Sequence, residues 1–75
     1  LVVYLKDDSV VYEGSLGAKE LDPDKRQYIC LNSYYKYFLN EEGKPKEPYI
    51  EDHADEPDET VVIFYESIKR IEKRV

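Results

Sequence analysis

The chain opens and closes on matched pairs of strands, and this constrains its fold more than any other feature. Val2-Val3-Tyr4-Leu5-Lys6-Asp7-Asp8-Ser9-Val10-Val11-Tyr12-Glu13-Gly14-Ser15-Leu16 reads as two strands around a tight turn. Leu1 to Leu5 is apolar and β-branched or aromatic at nearly every position, which favours a strand. Asp and Ser suit the turn because their side chains bond their own backbone. At the far end, Thr60-Val61-Val62-Ile63-Phe64-Tyr65-Glu66-Ser67-Ile68-Lys69-Arg70-Ile71 reads as a fourth strand, a 3₁₀-like break at Glu66-Ser67 and a closing fifth strand. A chain of 75 residues is one domain or a fragment of one. Such a chain buries only roughly 60% of its unfolded surface, and a curled sheet that closes on itself wastes none of it on open edges. The expectation is an all-β, five-stranded small barrel.

Gly14 in mid-strand predicts a bend point. Gly17 to Arg26 is a polar connection with a turn at Pro23 and room for a helical turn around Leu21. A long third strand runs from Gln27 to about Phe38 and must bend or bulge. Asn40-Glu41-Glu42-Gly43-Lys44 is a turn, and Lys44 to Glu59, with Pro45, Pro48 and Pro57, is a loop with a short edge strand near Tyr49-Ile50. Thr60 to Tyr65, the most hydrophobic stretch, is expected at the centre of the sheet. Ile68, Ile71 and Val75 also fit a helical spacing. So short a helix is marginal without tertiary support, and a strand to about Arg74 is expected. The expected interior is Val3, Leu5, Val10, Tyr12, Leu16, Ile29, Leu31, Val62, Phe64, Ile68 and Ile71, or their alternating neighbours if the register slips by one.

The net charge of -6 disfavours non-specific nucleic-acid binding. Acidic residues crowd Glu47 to Glu59, whereas Lys69, Arg70, Lys73 and Arg74 lie together near the end. That basic strand and the barrel fold are the only support for an alternative nucleic-acid-binding reading. The single Cys30 excludes an intrachain disulfide; in Tyr28-Ile29-Cys30-Leu31 it reads as a small buried thiol. No stretch approaches the ~20 apolar residues of a membrane helix, and none of the 75 residues reads as part of a signal peptide. A start at Leu1, directly into a strand, predicts a domain excised from a longer protein.

The first segment resembles the leading motif of Sm-like proteins, with Leu5-Lys6-Asp7-Asp8 as the turn and Tyr12-Glu13-Gly14-Ser15-Leu16 as the glycine strand. Ile63-Phe64-Tyr65-Glu66-Ser67-Ile68 stands where the second motif would be. The resemblance implies an SH3-like/Sm-like barrel. It does not carry RNA binding over: the third strand, Lys25 to Leu31, lacks the family's Asp/Asn pair, and Phe64 and Tyr65 replace its Arg-Gly pair. Leu5-Lys6-Asp7, Tyr28-Ile29-Cys30-Leu31-Asn32, Tyr34-Tyr35 and Ile68-Lys69-Arg70-Ile71-Glu72 are together similar to an uncharacterised prokaryotic family of short membrane-anchored proteins with a cytoplasmic small-barrel tail. Asp8 departs from that family's turn glycine. This second resemblance implies a domain on the cytoplasmic side of a membrane, anchored by a segment outside this chain, and brings no activity with it.

Of the candidate sites, the aromatic run Tyr34-Tyr35-Lys36-Tyr37-Phe38 stands out. Alternation sends Tyr35 and Tyr37 to one face, Tyr34 and Phe38 to the other. One set lines the interior, and Tyr34, Tyr35, Tyr37 and Phe38 are candidate contacts for a protein partner or a second copy. An SH3-like peptide groove lacks its Trp, since the chain has none. The acidic loop around His53 matches no calcium-loop pattern, and one His without Cys or further His nearby makes a poor zinc site. It reads as a solvated, mobile loop. A Cys30–His53 dyad is the sole nucleophilic option, and mid-strand and loop positions argue against their meeting. No catalytic, cofactor or metal site is expected. The functional expectation is a protein-interaction or assembly module.

Overall fold

The computed structural model describes residues 1–17 and 27–73. These form an all-β domain: β1 (Val2–Leu5), β2 (Val11–Leu16), β3 (Tyr28–Leu39), β4 (Pro45–Asp52), β5 (Thr60–Phe64), a 3₁₀ turn (Tyr65–Ser67) and β6 (Ile68–Glu72). All pairings are antiparallel, in the order β4-β3-β2-β1-β6. The long β3 carries β2 along one edge. Its other edge is shared, with β5 on Tyr28–Asn32 and β4 on Tyr35–Leu39.

Two expectations are corrected here. The strands number six, not five, and the sheet is not closed: among the described residues no ladder joins β5 to β6. The chain nevertheless passes from β5 to β6 through the 3₁₀ turn. That turn is held from both sides, by the Lys6 N–H on Ser67 O (2.9 Å) and the Tyr65 N–H on Gln27 O (2.8 Å). The additional strand is β4, expected as mostly loop. Its prolines are tolerated because it is an edge strand. The ladder steps from Lys36↔Glu51 to Phe38↔Lys46, so Glu47 to Ile50 bulge out of register. The Pro23 turn and the Leu21 helical turn lie outside the described residues, as does Arg74.

Both hairpin turns follow side-chain chemistry visible in the sequence. Asp7 Oδ1 accepts the Ser9 N–H (3.0 Å) and hydroxyl (2.7 Å), and Asp8 takes the left-handed conformation (φ 56°) in which a glycine is usual. In the second turn Asn40 Oδ1 accepts the Glu42 and Lys44 N–H groups (2.8 and 3.0 Å), with Gly43 at φ 75°.

Neighbouring residues on a strand face opposite ways, yet Val2 and Val3 are both fully buried. The sheet therefore packs on both faces. One cluster joins Val3, Ile29, Leu31, Tyr34 and Ile63, flanked by Leu1, Leu5, Tyr12, Val61 and Ile68. The other joins Val2, Tyr4, Val11 and Tyr37, flanked by Tyr35 and Leu39. Val3, Ile29 and Leu31 are interior as expected. Val10 gives way to Val11, and Val62 and Phe64 give way to Ile63, a register displaced by one residue. Leu16 and Ile71, expected inside, are exposed. β5 stands at the rim rather than the centre, since it pairs with β3 alone.

Gly14 marks a close approach. The β2–β3 ladder steps from Glu13↔Tyr35 to Ser15↔Asn32, an extra residue on β3, and Ser33 there has a φ of 47°. A Cβ on Gly14 would lie 2.7 Å from Tyr34 Cβ and 3.0 Å from Asn32 O.

Candidate functional site

The β3 bulge at Ser33 sets the phase of the aromatic run that follows. Tyr34 packs into the first cluster, edge-on to Tyr12 with ring centroids 5.9 Å apart. Tyr35 and Tyr37 lie together on the other face (6.2 Å), with Tyr49 of β4 beside Tyr35 (5.3 Å). The alternation matches the sequence reading; the packing of both faces is what the sequence did not show. Tyr34 and Tyr37 are buried, Tyr35 is half-buried and Phe38 is 58% exposed. The run thus spends two rings on the interior and leaves Tyr35 and Phe38 with surface to offer.

An open groove of about 560 Å³ runs along β3 and β5, walled by Tyr28, Cys30, Val62 and Phe64 and ended by Asp58, Glu59 and Thr60. Its apolar wall arises because Cys30 pairs with Val62 and Tyr28 with Phe64 on the outward phase of both strands. Phe64 stands edge-on to Tyr28 at 5.9 Å. Val62 and Phe64 are 48% and 53% exposed. Cys30 is half-buried here rather than sealed in the core.

The cations of β6 have partners within the chain. Lys69 Nζ meets Asp8 Oδ1 at 3.0 Å, the Arg70 guanidinium covers the Tyr4 ring at 4.2 Å, and Arg70 also reaches Glu72 at 3.5 Å. Burial, then Glu72, pushes the Tyr4 hydroxyl above its ordinary pKa.

The acidic connection before β5 is organised around His53, a feature the sequence reading missed. The His53 N–H donates to Tyr34 O (2.8 Å), and its ring lies on the Tyr34 ring at 4.8 Å. Nδ1 faces Glu56 Oε2 at 2.8 Å and Nε2 faces Glu51 Oε1 at 2.9 Å. Lys36 Nζ holds the other oxygen of Glu51 at 3.4 Å and lies over Tyr12 at 5.8 Å. Two successive turns, Glu56 N–H to His53 O (3.2 Å) and Glu59 N–H to Glu56 O (3.0 Å), return residues 53, 56 and 59 to one side. Their side-chain donor atoms lie within 4.8 Å of one another, with both ring nitrogens already engaged by carboxylates. Hydrogen bonds that the ring donates to Glu56 and then to Glu51 raise the His53 pKa, and His53, then Lys36, lowers that of Glu51. The signal in the sequence was the His53-x-x-Glu56-x-x-Glu59 spacing; without the turns it looks like any charged loop. Cys30 and His53 have separate surroundings, one in the outer groove and the other against Tyr34.

Comparison with protein-family models, with curated proteins and with solved structures finds no match.

Proposed function

We propose that this chain is an assembly module without enzymatic activity, and that its partner is a second copy of itself. The observation that supports the reading is that β5 and β6 present unlike open edges, with β4 a third edge strand. β5 is bonded on one side to β3 and β6 on one side to β1, and the opposite side of each carries no ladder among the described residues. β5 is entered through Asp58 and Glu59 and presents the exposed Val62 and Phe64, whereas β6 presents Lys69 and Arg70, each about half exposed. Unpaired backbone on an edge is a template for another strand. The acidic approach to β5 complements the half-exposed Lys69 and Arg70, which within one copy meet Asp8 and Glu72, and this favours head-to-tail pairing of β5 with the β6 of the next copy. Pairing of that kind closes into a ring or extends into a filament. The resemblance to membrane-anchored proteins supports a place on the cytoplasmic side of a membrane, through a segment outside this chain. Among the described residues no helix is long and apolar enough to cross one.

Light scattering on size-fractionated protein tests the reading. The wild-type chain should show a mass that rises with concentration, and Val62→Lys, which puts a charge on the exposed edge, should remain monomeric with an unchanged circular dichroism spectrum. A wild-type chain that stays monomeric at the highest concentration, or a V62K variant that associates equally well, would overturn it. Binding of a single-stranded oligonucleotide at about 50 mM salt that weakens steeply as salt rises would favour the nucleic-acid reading instead.

A further inference from the structure

We infer that His53 is a proton-operated clamp on the connection between β4 and β5, closed when the imidazole carries its charge and released on the Glu56 side when it does not. Both ring nitrogens face carboxylates, Nδ1 on Glu56 at 2.8 Å and Nε2 on Glu51 at 2.9 Å. Only the protonated ring can donate to both; a neutral ring has one N–H and sets a lone pair against the second carboxylate.

Which contact fails follows from how each carboxylate is held. Glu51 sits on β4 and is tied by its other oxygen to Lys36 of β3. Glu56 lies on the connection and is half exposed; its carboxylate meets the ring, and its backbone is held by two turn hydrogen bonds, its N–H on His53 O and its own O under the Glu59 N–H. The ring itself stays anchored, by its stack on Tyr34 and by its own N–H on Tyr34 O. The groups facing it are Glu51 from β4, Glu56 and Glu59 from the connection and Tyr34 from β3, with Lys36 behind Glu51. The near charges are thus mostly negative and hold the ring's proton, as the upward shift of its pKa reflects. Loss of that proton leaves the Nε2–H tautomer on Glu51 and frees Glu56. The freed stretch runs directly into Asp58, Glu59 and Thr60, which end the groove along β5. A consequence for assembly rests on the function proposed above; the clamp itself does not.

The experiment is a nuclear magnetic resonance titration of the chain from about pH 5 to about pH 9, with a chelator present. It follows the His53 ring nitrogens and the backbone ¹H–¹⁵N heteronuclear Overhauser effects of Ala54, Asp55, Glu56, Asp58 and Glu59. The same titration on Val62→Lys keeps the result independent of self-association. The ring should titrate above its ordinary value of 6.5 and emerge as the Nε2–H tautomer. The Overhauser effects should fall with the same midpoint. Glu56→Gln should lower the midpoint and remove the backbone step, and His53→Phe, which keeps the stack on Tyr34, should show no step at all. A midpoint at the ordinary value, an Nδ1–H tautomer, a backbone indifferent to the ring's titration, or the same step in H53F would overturn the inference.

Discussion

Gly14 is a residue at which this fold leaves no room for a side chain. An added Cβ would meet both Tyr34 Cβ and Asn32 O inside normal contact, and neither neighbour can yield, because Tyr34 is buried in the first cluster and Asn32 is in the ladder with Ser15 and Thr60. Overpacking of this kind costs about 1–3 kcal/mol, so Gly14→Ala should lower the urea midpoint accordingly and Gly14→Val at least as much. Phe38→Ser, by contrast, removes an exposed ring and should stay within about 0.5 kcal/mol of wild type. Tyr34→Ala, which empties a core position, should cost about 3–5 kcal/mol. Equal effects at Phe38 and Tyr34 in the same denaturation series would contradict the assignment of interior and surface. The ionisable residues give opposite signs. Asp7, whose pKa is lowered by its bonds from the Ser9 hydroxyl and N–H, stabilises the fold above its unfolded value, and that contribution is lost as pH falls through the lower folded value. His53, whose pKa is raised, stabilises the fold below 6.5, and that contribution is lost as pH rises through the higher folded value. The gap in melting temperature between wild type and H53F should therefore narrow from mildly acidic to mildly alkaline pH.

At the scale of elements, β3 determines the arrangement, because every strand except β1 and β6 hydrogen-bonds to it. Its bulge at Ser33 sets the face on which Tyr34, Tyr35 and Tyr37 lie, and the bulge in β4 lets a proline-containing segment finish the same edge that β5 begins. The second face is shielded partly by β6: Arg70 spans Tyr4, which is buried between Val11 and Arg70 across the ladder. Arg70→Ala should cost about 0.5–2 kcal/mol through loss of this cation–π contact and of its covering stem. Lys69→Ala, which removes an exposed ion pair, should cost less than about 1 kcal/mol. Thermal or urea unfolding of the two variants side by side checks the order.

For the whole molecule, the decisive contact is the one between its ends: Val2 to Leu5 pair with Ile68 to Glu72. Long-range pairing must overcome the entropy of closing nearly the entire chain before it is rewarded. Folding should take milliseconds to seconds rather than microseconds, and stopped-flow refolding from urea measures it; a microsecond relaxation would contradict this topology. Much of the local plan was legible in the residues themselves. Asp7-Asp8-Ser9 and Asn40 to Gly43 encode turns through bonds that span only a few positions, the 3₁₀ turn lies where Glu66-Ser67 placed it, and the last segment is a strand. Those features depend on neighbours along the chain. The inward choice of Val11 over Val10 and Ile63 over Val62, the burial of both faces, the strand at Pro45–Asp52 and the meeting of His53 with Glu51 and Tyr34 were decided by tertiary structure. Each depends on a partner strand's register, and with side chains alternating at a period of two, a single bulged residue such as Ser33 reverses every face that follows it.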